Sequence, residues 1–343
     1  MAKEIGFGIV GCGVIAPTHA KALAGIEGAK LVAACDIVPE RAEKFGKEYN
    51  CDYYTDLAQM LKREDVDAVC VLTPSGLHAK VGIEVAKAGK HLVVEKPIDI
   101  TLENADALIR AAQKAGVKLA VISQHRFDES IDKIKRATEE GKFGQLNFGG
   151  SHTKWYRTQE YYDSGDWRGT WELDGGGALM NQSVHYVDML QYIMGPVEEI
   201  FAYCATRDHV RIEVEDVAVA SIKFKSGAIG LIEGNTTAYP GFYTRLDIYG
   251  SDGSAIIEAN QLVEWKLKSE SDTETVKAKE GDGAQSAQIS SSLHGRQLED
   301  FVAALREGRE PFVNGEEGRK PLEIILAIYE SARTGKPVKL EGK

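Results

Sequence analysis

The chain has 343 residues, more than one hydrophobic core usually supports, so two domains are expected. Apolar residues make up 43% and charged residues 27%, enough for packed cores, and no apolar run of 18 residues is present to span a membrane. With 41 Lys and Arg against 52 Asp and Glu the net charge is −11, which argues against a nucleic-acid surface and demands local basic residues for any anionic substrate.

The N-terminus, MAKEIGFG, enters a strand directly, without a signal peptide, so a cytoplasmic location is expected. From Ile5 to about Ser123, the strand-like runs GFGIV, LVAAC, AVCVL, HLVVE and LAVIS alternate with amphipathic stretches at Thr18 to Ala24, Glu40 to Tyr49, Asp56 to Leu61, His78 to Ala88 and Leu102 to Ala115. Gly89 and Gly116 sit where helices would end. This alternation predicts an α/β fold, a doubly wound parallel sheet of the Rossmann type, over residues 1–123.

After Ser123 the rhythm changes, and residues 124–343 read as an α+β domain. A helix is expected over Glu129 to Glu140, then a strand and a long aromatic loop, then a helix from about Ala178 to Met194. The runs VAVASIKF, AIGLIEG, RLDIYG and AIIEA, linked by SG and SDG turns, predict an open and mostly antiparallel sheet. The polar segment Lys268 to Ser290 reads as an exposed hairpin or mobile loop, and helices over Ser292 to Glu307 and Leu322 to Thr334 close the chain. The five cysteines, Cys12, Cys35, Cys51, Cys70 and Cys204, are odd in number and scattered without C-x-x-C spacing, so neither disulfides nor a metal is expected.

Gly11, Gly13 and Ala16 occupy the three positions of the G-x-G-x-x-G/A fingerprint, directly after the first strand and before the first helix. Gly11 permits the tight turn, Gly13 lets backbone approach a pyrophosphate, and Ala16 keeps the helix close to the sheet. Gly6, Gly8 and Gly11 satisfy the same pattern, but Gly6 and Gly8 lie inside the strand, where the mechanism has no use for them. Asp36 ends the second strand about twenty residues on, placed to take the ribose hydroxyls and to repel a 2′-phosphate. Ile37 follows it rather than an arginine, so NAD is expected over NADP.

The strand that ends in VVEKP brings Lys96 to the carboxyl edge of the parallel sheet, where open α/β sheets bind ligands. Pro97 can fix a cis or sharply turned peptide and so aim the lysine. Partly desolvated beside a cationic nicotinamide, Lys96 would have a lowered pKa and act as a proton shuttle or polarising donor. A second constellation, LDGGGALMNQSVHYVDML, opens a helix with three glycines and sets Asn181, His185 and Asp188 at four- and three-residue spacing on one face. His185 is the natural acid or base for a hydroxyl, and Asn181 can hold that hydroxyl or orient the base. Asp188 fits either a role in fixing the imidazole tautomer or an ion pair inside the domain.

Three of the four tryptophans lie in HTKWYRTQEYYDSGDWRGTWELD. Trp155, Tyr162 and Trp167 offer planes for a sugar ring or uracil, and Arg157 and Arg168 suit phosphate or carboxylate, although a loop core or a subunit contact has the same composition.

Together GCGVIA, TPSGLH at Thr73 to His78, VEKP and the GGG helix with its histidine resemble the glucose–fructose oxidoreductase, inositol dehydrogenase and MocA family. The likeness runs nearly end to end, through EVEDVAVASIKFKSGAIG and GRKPLEIILAIYESARTGKPV. It implies reversible hydride transfer between a sugar or cyclitol hydroxyl and nicotinamide, and a homodimer or homotetramer assembled through the open sheet. It implies Lys96 and His185 as the catalytic pair, with Asn181 beside them. Gly11 to Ile15, including Val14, would hold the pyrophosphate, with Thr73, Pro74, His78 and Glu95 on the nicotinamide side. Many members carry aspartate where this chain has Asn181, and W-Y-R, EYYD, WRG and MNQSVHYVD are similar instead to UDP-N-acetylglucosaminuronate 3-dehydrogenases. Expected partners are therefore a sugar or nucleotide sugar, with no nucleic acid and no membrane. An inositol or free-sugar dehydrogenase is the alternative, and a non-catalytic NAD-binding sensor is the rival of another class.

Overall fold

The computed structural model describes residues 4–270, 274–275 and 291–340, and it divides into two compact units, Met1–Gln124 with Ile289–Arg319 and His125–Gln288 with Lys320–Lys343. In the first unit, β1 (Ile5–Val10), β2 (Ala29–Cys35), β3 (Asp52–Tyr54), β4 (Ala68–Val71), β5 (His91–Val94) and β6 (Leu119–Val121) form one parallel sheet. Its order, β3-β2-β1-β4-β5-β6, is that of a doubly wound dinucleotide fold. All six residues of β1 are buried, as suits a strand covered on both faces. The short edge strand β3 is an element that the sequence pattern did not reveal, because three residues are too few to show a period.

Between these strands lie α1 (Ala16–Ala24), α2 (Pro39–Tyr49), α3 (Leu57–Leu61), α4 (His78–Lys87) and α5 (Leu102–Ala115). Local chemistry sets their ends. Asp56 and Thr101 accept backbone N–H groups at the starts of α3 and α5, and Gly116 closes α5 at φ +69°. Gly6 and Gly8 serve packing inside β1, where a Cβ on Gly6 would lie 1.8 Å from the Asp65 carbonyl oxygen.

The second unit contains α6 (Glu129–Glu139), β7 (Leu146–Lys154), α7 (Gln159–Asp163) and α8 (Val184–Met194), followed by β8 (Val197–Ala205), β9 (Val217–Phe224), β10 (Ile229–Asn235), β11 (Arg245–Gly250), β12 (Gly253–Glu258), β13 (Gln261–Leu267) and β14 (Glu274–Thr275). With β15 (Val338–Lys339) these strands make a nine-stranded sheet, antiparallel except where β7 pairs with β10. The expected helix over 178–194 has two parts, because Ala178–Ser183 forms a π-helical turn before α8 begins. Gly149 of β7 lets α8 lie close, since a Cβ there would fall 2.6 Å from Met194 Cγ. Most of the polar segment Lys268 to Ser290 lies outside the described residues.

Residues beyond 123 do not all belong with the second unit. Helix α9 (Ser291–Glu307) returns to the first, where Leu298, Phe301 and Val302 join Phe7, Ile9 and Ala120 in one buried cluster. Gln297 pins it, accepting from the Ser123 N–H at 2.9 Å and donating to the Val121 carbonyl at 2.8 Å. The last helix, α10 (Gly315–Thr334), starts earlier than the expected Leu322, because Asn314 caps the Glu317 N–H and Pro321 is accommodated inside the helix. Among the described residues no helix is long and apolar enough to cross a membrane.

Candidate functional site

In the first unit the loop between β1 and α1 has the shape its residues require. Gly11 sits at φ +94°, and a Cβ there would lie 2.6 Å from the Leu72 carbonyl oxygen. Gly13 faces open space, with nothing within 4 Å of a Cβ, so its backbone remains approachable. Ala16 is fully buried, whereas Val14 is 82% exposed on the loop rim. Asp36 accepts the Cys12 N–H at 2.8 Å and the Val38 N–H at 2.9 Å, one on each carboxylate oxygen. Each oxygen keeps acceptor capacity for a ribose hydroxyl, and Ile37, 88% exposed, supplies no countercharge for a 2′-phosphate. The loop and its acid fit a dinucleotide.

Two residues expected on the nicotinamide side are used inside the protein instead. His78 is buried, with Nδ1 2.7 Å from the Pro97 carbonyl oxygen and Nε2 2.8 Å from that of Thr73, so its ring is engaged by backbone of these two loops. Burial lowers its pKa. Glu95 is also buried, and its carboxylate meets His19 at 2.8 Å, His294 at 3.6 Å and the Lys96 N–H at 3.1 Å. Burial raises its pKa, but the hydrogen bonds from His19 and His294 prevail and hold it well below the usual carboxylate range.

His19, Glu95 and His294, whose ligand-type atoms lie within 4.8 Å of one another, have the composition of a two-histidine, one-carboxylate metal site. The geometry fits imidazole N–H groups donating to a carboxylate better. The 2.8 Å between His19 Nε2 and Glu95 Oε1 is an ordinary length for an imidazole N–H donating to a carboxylate. Both Nδ1 atoms are buried without a partner among the described residues, whereas a metal-ligating histidine ordinarily donates its other nitrogen. His19 was legible only as a polar residue on the buried face of α1, and nothing local to His294 announces its role, because α9 is some 200 residues from β5 in sequence. The product of this cluster is a fixed strand end. Lys96 follows it, partly exposed among buried neighbours, and the Lys96–Pro97 peptide is cis.

In the second unit, every residue from Asp174 to Gln191 is buried except Asn181 and His185. A polar pair thus opens from an otherwise closed segment. Asn181 donates from Nδ2 to Asp174 Oδ1 at 2.8 Å, and Asp174 in turn accepts the Gly169 N–H. The His185 ring meets His125 edge-on, with centroids 5.2 Å apart. Asp188 does not serve the imidazole, because the buried guanidinium of Arg126 takes both of its oxygens, at 2.8 and 2.6 Å. Of the two alternatives for Asp188, the ion pair inside the domain holds.

The aromatic loop gathers around Tyr161, which sequence reasoning passed over for its neighbour. Arg157 lies over the Tyr161 ring at 5.0 Å and over Trp155 at 4.8 Å; Arg168 lies over Tyr161 at 4.4 Å and over Trp167 at 4.6 Å. The Tyr161 hydroxyl accepts from Arg168 at 2.7 Å and from Gln182 at 2.9 Å. Tyr162, expected against substrate, is instead buried, with its hydroxyl 2.9 Å from Thr236 Oγ1 and its ring on His209. Successive tyrosines in the short helix α7 point about 100° apart, and only tertiary packing selects the inward one. Arg157 Nε is buried without a partner among the described residues.

Comparison with known proteins agrees with the fold. Residues 5–123 match the family model described as "Oxidoreductase family, NAD-binding Rossmann fold", and residues 135–340 match its partner, "Oxidoreductase family, C-terminal alpha/beta domain". Among solved structures, the chain is 37% identical to the WlbA dehydrogenase of Bordetella pertussis in complex with NADH and UDP-GlcNAcA, with a TM-score of 0.87 over 98% of this chain and 99% of that one. It is 34% identical to WlbA of Chromobacterium violaceum, solved with the same two ligands, with a TM-score of 0.89 over 100% and 98% of the two chains. Myo-inositol 2-dehydrogenase of Thermotoga maritima is 29% identical over 97% of this chain and 98% of its own length.

Proposed function

The chain belongs to the Gfo/Idh/MocA oxidoreductase family and is an NAD-binding sugar oxidoreductase, and on that premise we propose that it oxidises the C3 hydroxyl of UDP-N-acetylglucosaminuronate or a closely similar nucleotide sugar. One observation carries the narrower reading. On a chain of net charge −11, Arg157 and Arg168 converge on Tyr161, flanked by Trp155 and Trp167. A neutral cyclitol needs no such paired cations, whereas a sugar carboxylate or diphosphate does, and the indole planes suit uracil or the pyranose face. The two WlbA structures with UDP-GlcNAcA support the same reading.

In this proposal Gly11, Gly13, Val14 and Ile15 cradle the pyrophosphate, and Asp36 receives the adenosine ribose, with Thr73 and Pro74 near the nicotinamide. NAD, when bound, supplies the hydride acceptor. Lys96 and His185 carry the hydroxyl proton, and Asn181 orients the hydroxyl. Arg157 and Arg168 hold the anionic part of the substrate.

The test is NADH formation on UDP-N-acetylglucosaminuronate, UDP-N-acetylglucosamine, free sugars and myo-inositol side by side. Arg157→Ala and Arg168→Ala should each raise KM for the UDP-uronate by about tenfold or more while kcat changes less, the signature of lost binding rather than lost chemistry. Robust oxidation of myo-inositol with no turnover of either UDP-sugar would overturn the proposal and favour the inositol dehydrogenases that match along the whole chain.

A further inference from the structure

Two of the three consecutive glycines that open the His185 segment, Gly176 and Gly177, are explained by what lies against them. A Cβ on Gly177 would fall 1.8 Å from the Glu215 carbonyl oxygen, and one on Gly176 would fall 2.1 Å from the Tyr329 hydroxyl. Glycine is required because two other parts of the chain occupy that space. The Glu215 carboxylate accepts the Gly177 N–H at 3.0 Å through Oε2 and the Leu179 N–H at 2.8 Å through Oε1, while the Glu215 carbonyl accepts the Ala178 N–H at 3.1 Å. Three successive N–H groups at the mouth of the helical segment, which have no partner within it, therefore all end on one residue. Tyr329 of α10 donates its hydroxyl to Glu215 Oε1 at 3.0 Å and meets the Trp171 ring edge-on at 5.3 Å.

We propose that Glu215 and Tyr329 are positioning residues for the reaction, a clamp that fixes the start of the helical segment and so the direction in which Asn181 and His185 point. The inference rests on the reading that Asn181 and His185 meet the substrate. The next residue reinforces the pattern. Asp216 accepts the N–H groups of Arg207, Asp208 and His209 and the His209 ring, and His209 Nε2 lies 2.8 Å from the Arg157 carbonyl oxygen. Neighbouring carboxylates thus brace the helix that presents the proposed proton carrier and the strand end that presents a proposed anion-binding arginine.

The clamp also responds to pH. Burial pushes the Glu215 carboxyl up to about 7, against the lowering effect of its bonds from Leu179, Gly177 and Tyr329. The titratable groups facing it are Tyr329 of α10, Cys204 of β8 and Tyr162 of α7, with Asp216 adjacent in sequence. Burial raises the first three, so they remain neutral near pH 7, and Asp216 is held down at about 2 by its ring of donors although burial opposes this. Glu215 is therefore the member of this group that titrates near neutrality. Ionised, it grips both N–H groups; protonated, one oxygen becomes a donor and loosens its hold.

Glu215→Gln and Tyr329→Phe test the clamp with little change of volume. Amide hydrogen exchange, read without substrate, should quicken at Gly177 and Leu179 by about tenfold or more when a bond to the carboxylate is lost. On UDP-N-acetylglucosaminuronate and myo-inositol, assayed in parallel, kcat should fall by about tenfold in Glu215→Gln and less in Tyr329→Phe, with NADH affinity unchanged. The kcat profile near pH 7 should change shape in Glu215→Gln and keep its wild-type shape in Tyr329→Phe. Unchanged amide exchange with kcat within about twofold of wild type would overturn the proposal. So would looser amides with unaltered kcat, which would leave the pair a stabilising role only. His185→Ala separates the premise, because undiminished turnover in that variant refutes the reading of His185 while the exchange data still report on the clamp.

Discussion

The side-chain amide of Asn181 donates to the buried carboxylate of Asp174 at 2.8 Å, and this bond accounts for the residue type at position 181. An aspartate there would set two carboxylates within hydrogen-bond distance, and one would have to keep a proton. Here the acidic partner is Asp174, and position 181 supplies the donor.

Asn181→Asp should consequently lower both stability and turnover above the pH at which the shared proton is lost, with kcat falling by about tenfold or more. The exchanged pair Asn181→Asp with Asp174→Asn should recover stability, because donor and acceptor are again matched. Thermal denaturation of the two variants at pH 6 and 8 checks this, and an exchanged pair no better than the single variant would refute it.

Lys96→Met should reduce kcat by about 10²- to 10⁴-fold, the range for a positioned acid or base. NADH affinity should stay within a few fold, since the phosphate contacts belong to the glycine loop. Single-turnover kinetics and fluorescence titration separate the two quantities. More than about a tenth of wild-type kcat would remove the lysine from the chemistry.

Asp36→Ala should shift cofactor preference from NAD towards NADP and weaken NAD by about tenfold or more. Part of that loss comes from within, because Asp36 also holds the Cys12 N–H and thereby the glycine loop itself. Titration with both reduced cofactors measures the ratio, which should not change if the carboxylate plays no part in discrimination.

Glu215 carries a pH dependence of stability with a definite sign. Its folded pKa of about 7 exceeds the ordinary 4.5, so between these values the folded state binds a proton that the unfolded chain does not. Stability contributed by the protonated form is present below about 4.5 and declines as pH rises through 7, by about 3 kcal/mol at most. Urea denaturation of wild type and Glu215→Gln from pH 5 to 8 should show the variant gaining relative to wild type as pH rises. Parallel curves would mean that the carboxyl is already ionised at pH 5.

Local stereochemistry made much of this protein legible before folding. Parallel strands with alternating helices, the left-handed Gly11, the open side of Gly13 and the buried Ala16 all arise within a stretch short enough for periodicity and turn chemistry to govern. Asp36 at the end of β2, Lys96 after β5, and Asn181 and His185 in an otherwise buried segment follow from the same local logic. What the tertiary structure alone decided involves partners distant in sequence. The return of α9 to Phe7, the capture of Glu95 by His19 and His294, the choice of Tyr161 over Tyr162 beside the arginines, and the closure of Glu215 and Tyr329 on the glycine triplet bring together residues separated by up to hundreds of positions. No local period records such pairings, because a buried polar group must find its hydrogen-bond partner wherever the packed chain supplies one.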